Sequence, residues 1–143
     1  LVEEAPPILS EHKASLKVIV AEDNDVNATI ATAFLKKAGC QVRLAENGWE
    51  AVVASRENWA DLILMDIHMP EMNGIDATIE IRSVYDKETL PIIGLTADAF
   101  VERHEQFEKA GMNSVLTKPF TELQLNEMLD IYRNPASEEN AVS

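Results

Sequence analysis

Glu22, Asp23, Asp66, Thr96 and Lys118 are reactive side chains that each follow a short apolar run. Residues 17–21 lead into Glu22 and Asp23, 62–65 into Asp66, 92–95 into Thr96, and 115–117 into Lys118. In an open parallel α/β sheet, ligands gather outside the carboxyl ends of the strands, where the connections part. Three carboxylates, a hydroxyl and an ammonium brought together there make a site for a divalent cation and a phosphoryl group. Mg2+ takes six oxygens in near-octahedral geometry, usually one or two carboxylates plus water. Packed together without a cation, the acids repel, and at least one holds its proton more tightly.

Asp66 has a second possible role. It ends the most apolar run, and an aspartate carboxylate can attack phosphorus to form an acyl phosphate. A cation offsets the charge of the entering phosphoryl oxygens. Lys118 can meet another oxygen as a point charge, and the Thr96 hydroxyl can donate to a third. Each residue taken alone has a plainer explanation. Asp66 and Thr96 could cap turns or helices, and the acidic pair and the lysine could be solvated surface. Their arrival at the same end of successive strands argues for a site.

The elements that must position them alternate along the chain. Strands are expected over Lys17–Ala21, Gln41–Ala45, 62–65, 91–95 and Ser114–Thr117. Helices are expected over 26–37, 49–58, 75–84, 99–110 and Glu122–Arg133. Asn24 or Asp25 caps the first helix, whose Val26, Ile30, Ala33 and Phe34 fall on one face. Gly39 and Gly111 stop two of the helices. The continuous run 62–65 suits a central strand covered on both faces. Five such alternations imply parallel crossovers and a three-layer α/β sandwich in one domain. Residues 1–15 read as a flexible linker, 16–133 as the domain and 134–143 as a disordered tail.

The bulk numbers set bounds. The 143-residue chain is 46% hydrophobic, enough to fill an ordinary core. It carries 25 acidic against 12 basic residues, a net charge of −13. That excludes nucleic acid as the expected partner, because such binding rests on Lys and Arg neutralising phosphates. No run approaches the ~18 apolar residues of a membrane span, so no direct membrane contact is expected. Cys40 is the single cysteine, so it cannot form an internal disulfide; it is expected to pack as a small apolar side chain. No motif surrounds His12 or His104.

The motifs KVIVAEDN (17–24), LMDIHMPEMNG (64–74), IGLTA (93–97) and VLTKPF (115–120), at these spacings, resemble the receiver domain of two-component response regulators. The resemblance covers residues 16–133. It implies a flavodoxin-like (βα)5 fold with a five-stranded parallel sheet in the order 2-1-3-4-5. It also implies that Asp66 accepts phosphate from a phosphohistidine, with Mg2+, or Mn2+ in its place, as cofactor. By the same resemblance Asp23 and Asp66 ligate the metal directly, Glu22 acts through water, and the backbone carbonyl of His68 is a further ligand. Thr96, the small Ala97 and Lys118 serve the phosphoryl group, and the Lys118-Pro119 bond is expected to be cis. The side chains of His68 and Asp98 occupy positions that tune attack by water.

One position departs from the pattern. Three residues before Lys118 many receivers carry an aromatic switch residue, and here it is Val115. That puts strong output through the last two helices in doubt, and a domain that only relays phosphate needs such a switch less. The wording of the first and second motifs looks most like receivers of hybrid sensor histidine kinases. The Leu at position 1 and the acidic, Pro-containing leader fit a domain taken from the carboxyl end of such a protein. A free-standing regulator, or a receiver separated from an output domain, is the rival host. The expected partners are a histidine kinase core, a histidine phosphotransfer domain, or both. The domain by itself is expected to be monomeric and cytoplasmic, with a membrane-anchored parent left open. A haloacid-dehalogenase-type phosphohydrolase would place a second Asp two residues after the nucleophile, where this chain has His68. A pseudo-receiver scaffold would lack some of the acids or the lysine.

Overall fold

Val, Ile and Leu dominate the five strands, and a strand buried on both faces needs such a run. The computed structural model describes residues 15–97 and 101–133, the side chains of 101–103 excepted. The strands are β1 (Lys17–Ala21), β2 (Gln41–Ala45), β3 (Leu62–Asp66), β4 (Ile92–Thr96) and β5 (Ser114–Thr117). The helices are α1 (Asp25–Lys37), α2 (Gly48–Ser55), α3 (Gly74–Arg82), α4 (Val101–Ala110) and α5 (Glu122–Arg133). All pairings are parallel, and the sheet order is β2-β1-β3-β4-β5, as the resemblance implied. The linker up to residue 14, the tail 134–143, His12, Asp98 and the expected start of the fourth helix lie outside the described residues.

The two-residue period of a strand divides the core into two layers. Ile19, Ala21, Ile63, Met65 and Ile92 pack against Ala51 and Val52 of α2, Ala77 and Ile81 of α3, and Phe107 of α4. Val18, Val20, Leu62, Leu64, Ile93 and Leu95 pack against Ala31 and Leu35 of α1 and Leu125 and Leu129 of α5. Every residue of β3 and β4 is buried. Cys40, just before β2, is buried in the second layer as expected.

Side-chain caps set where the helices start. Asn24, Asn47 and Asn73 each accept a hydrogen bond from the backbone N–H three residues on, at 2.9, 2.9 and 2.8 Å. Thr121 and Gln124 cap α5 reciprocally, at 3.0 and 2.8 Å. The expected second helix runs three residues too long. After Ser55 the chain passes into turns closed three residues back, and Asn58 takes φ 59.

The apolar stripe of the first helix is not the face it buries most deeply. Ala28, Ala31 and Leu35 are the residues it buries. Val26 is 66% and Ile30 44% exposed. Two alanines let the helix lie close on the sheet, which leaves Val26 and Ile30 outward while Phe34 is half-buried against the second layer.

Candidate functional site

Parallel register carries the reactive residues to one rim. Ala21 pairs with Met65, which sets Glu22 and Asp66 side by side just beyond. Asp66 aligns with Leu95, and Thr96 with Thr117, so Thr96 and Lys118 share the same end. The Lys118 N–H donates to the Thr96 carbonyl at 2.6 Å. Lys118-Pro119 is cis, as expected.

One ligand atom from each of Glu22, Asp23 and Asp66 lies within 4.8 Å of the others. Glu22 and Asp66 are buried, while Asp23 faces solvent. Lys118 Nζ stands 3.3 Å from Glu22 Oε1 and 3.3 Å from Asp66 Oδ1. Burial first, and then the hydrogen bond to Asp66 and its charge, push the Glu22 carboxyl up from 4.5 to about 6. The Asn24 N–H and Lys118 oppose that rise without cancelling it. One ammonium does not balance three acids. The donor set and its surplus of negative charge fit a hard divalent cation.

Thr96 is buried at 1% exposure. Ala97 and His68 are exposed, and the His68 N–H points at Asp66 Oδ1 from 3.4 Å. Val115 is half-buried against the layer holding Phe107 and Met112. Its register partner is Gly94, where a Cβ would come within 2.6 Å of Met112 Sδ. The structure therefore gathers Glu22, Asp23, Asp66, Thr96 and Lys118 as the sequence suggested.

Sequence reasoning missed the cavity beside them. A space of about 270 Å³ lies between α1 and the β5–α5 connection, lined mainly by Ile30, Ala31, Leu95, Pro119 and Phe120, with Glu22 and Lys118 at its edge. Its signal was the apolar stripe of α1, whose Ile30 lines the space.

This fold and this acid cluster are those of a receiver. The family model for the response regulator receiver domain matches residues 18–130, and the chain belongs to that family, a module of two-component signal transduction. It is 42% identical over 114 residues to the autoinducer 2 sensor kinase/phosphatase LuxQ of Vibrio vulnificus, covering 80% of this chain and 13% of that protein. It is 35% identical over 127 residues to the signal transduction histidine-protein kinase BarA of Escherichia coli, covering 89% and 14%. The chain thus spans only about an eighth to a seventh of these relatives.

Among solved structures it resembles the receiver domain of sensor histidine kinase PA1611 from Pseudomonas aeruginosa, which holds a magnesium ion in its active-site cleft. That match has 37% identity and a TM-score of 0.77, and covers 85% and 99% of the two chains. It also resembles the receiver domain of Saccharomyces cerevisiae Ssk1, solved with the histidine phosphotransfer protein Ypd1. There the identity is 29%, the TM-score 0.77, and the coverage 83% and 89%. Among the described residues no helix is long and apolar enough to cross a membrane.

Proposed function

We propose that this domain takes a phosphoryl group from a phosphohistidine onto Asp66 in an Mg2+-dependent reaction. The observation that carries the reading is a buried Asp66 with the acids Glu22 and Asp23 within 4.8 Å and an ammonium at 3.3 Å.

In the transfer, an Asp66 carboxylate oxygen forms the new bond to phosphorus as the phosphorus–nitrogen bond breaks. The bonding pair returns to the imidazole nitrogen of the donor. Asp23, Asp66 and the His68 carbonyl would hold the cation, and Glu22 would reach it through water. Mg2+, or Mn2+ in its place, supplies charge neutralisation for the phosphoryl oxygens. Lys118 gives up its ion pairs in the cluster to meet one phosphoryl oxygen, Thr96 donates to another, and Ala97 leaves the approach open. The side chains of His68 and Asp98 tune attack by water on the product.

The host we assign is a hybrid sensor histidine kinase, which the likeness to LuxQ and BarA supports. The partner is a kinase core or a phosphotransfer domain seated over α1. The outward Val26 and Ile30 and the cavity beside Lys118 support that placement, and the crystallised pairing of Ssk1 with Ypd1 supports the kind of partner. Val115 in place of an aromatic favours relay over a switch through the last two helices.

Intact-protein mass after incubation with acetyl phosphate tests the assignment. A gain of one phosphoryl group with Mg2+, lost on chelation and in Asp66→Asn, is the expected outcome. If neither acetyl phosphate nor a phosphorylated phosphotransfer domain loads the wild type, the relay assignment is wrong.

A further inference from the structure

Residues 67–74 form a strap of backbone that leaves the reactive rim at Asp66 and ends at α3. The strap is closed on itself. The Gly74 N–H donates to the Ile67 carbonyl at 2.9 Å. A Cβ on Gly74 would fall 2.2 Å from the Asp66 carbonyl oxygen. At its tip the Met72 N–H donates to the Pro70 carbonyl at 2.6 Å, across Glu71 at φ 67. A non-glycine residue in that hand of turn is held there only by its surroundings.

The surroundings are the start of α2. The Gly48 N–H donates to the Met72 carbonyl at 2.9 Å, and a Cβ on Gly48 would come within 2.3 Å of that oxygen. Backbone therefore meets backbone where the strap closes on itself and where its tip touches α2, with the Met65 and Met72 side chains packed alongside. Next to Gly48 stands Trp49, 49% exposed, and one turn on is Val53, 57% exposed.

We infer that the amino-terminal turn of α2 is coupled to occupancy of the acid cluster, through the closed strap 67–74 and the Gly48–Met72 contact. The inference rests on the proposed function, since it takes the metal and phosphoryl group to act on Asp66 and His68. A strap tied at its ends and strained at its tip cannot take up a displacement by stretching. Packed elements shift as units, so the displacement passes to Gly48 and moves Trp49. Trp59 is an internal control, because it lies before β3, at the other end of the sheet, beneath Arg43 at 4.5 Å.

Fluorine NMR of the full chain labelled with 5-fluorotryptophan reads both rings, with Trp49→Phe assigning the signals. Mg2+ with beryllofluoride, a mimic of a phosphoryl group on a carboxylate, is expected to shift the Trp49 resonance and leave Trp59 in place. Gly48→Ala is expected to abolish most of that shift while phosphoryl uptake by mass persists. Glu71→Gly, which relaxes the turn, does the same and decides the matter if the first variant does not fold. A Trp49 resonance that stays fixed while Asp66 loads overturns the coupling alone. Equal shifts of both rings overturn it too, since they report a global change. Failure to load Asp66 or bind Mg2+ overturns the proposed function, and the coupling with it.

Discussion

The two ends of the sheet handle a partly buried cation in opposite ways. At the amino-terminal end, the Arg82 guanidinium donates to the carbonyls of Gly111, Tyr85, Asp86 and Leu90 and to Asn113 Oδ1, at 2.7–3.2 Å. Asn113 in turn accepts from the Ile92 N–H and donates to the Lys87 carbonyl. Five acceptors tie α3, the turn before β4 and the turn before β5 into one knot. At the carboxyl end, Lys118 faces two buried acids with a third beside them. One cation is saturated by neutral dipoles. The other is outnumbered by charge. The first arrangement holds the fold, and the second holds a surplus of negative charge of the kind a divalent cation offsets.

Substitutions at each end should separate these roles. Asp66→Asn should abolish phosphoryl uptake entirely. Because it removes charge from a crowded cluster, it should also raise thermal stability, by about 1 kcal/mol. A melting temperature that falls would place the stabilising balance at the wrong end. Lys118→Ala should slow uptake about 100-fold, the usual size of one lost charge-stabilising group, measured as the initial rate of mass gain.

Arg82→Ala should act the other way round. Leaving its carbonyl acceptors unpaired should cost about 3 kcal/mol in urea unfolding. Mg2+ affinity and uptake by the protein that remains folded should be unchanged. Loss of Mg2+ affinity in that variant would show that the two ends are not independent.

The smallest expected effect is a pH dependence. The folded state holds the Glu22 proton to about 6, against an ordinary 4.5. The folded protein therefore binds more protons than the unfolded chain between those values. Its stability contribution is fully present below 4.5 and is lost as pH rises through about 6. The loss is on the order of 1–2 kcal/mol. Urea titrations of metal-free protein from pH 4.5 to 7 should find that decline, and Glu22→Gln should flatten it. Mg2+ opposes it, since a cation favours the carboxylate, so affinity for Mg2+ should grow over the same interval.

The sequence made the strands and the reactive rim readable because their signals are local. An apolar run followed by Asp66, Thr96 or Lys118 states both the strand and its end. The buried face of α1 was not readable in that way. Val26, Ile30 and Phe34 are the larger apolar residues at helical spacing, yet Ala28, Ala31 and Leu35 face the sheet. Close packing rewards small residues where a helix nears a sheet, and a hydrophobicity pattern does not register that preference. The Arg82 knot leaves no mark in the sequence for another reason. Its partners are mostly backbone carbonyls up to 29 residues away, and any residue type supplies a carbonyl. Gly48 and Gly74 are likewise explained only by the Met72 and Asp66 carbonyls that lie against them in the fold.

Two of the asparagine caps bear on how the protein ages. Asn47-Gly48 and Asn73-Gly74 are the step at which asparagine deamidates most readily, because the glycine amide nitrogen can swing in and attack the side-chain carbonyl. Here the Gly48 nitrogen is committed to the Met72 carbonyl and the Gly74 nitrogen to the Ile67 carbonyl. Both asparagine side chains are held by the N–H groups of Glu50 and Asp76. The folded chain thereby protects two weak covalent links that the unfolded chain exposes. A stored sample should gain isoaspartate at these positions in proportion to the time it spends unfolded.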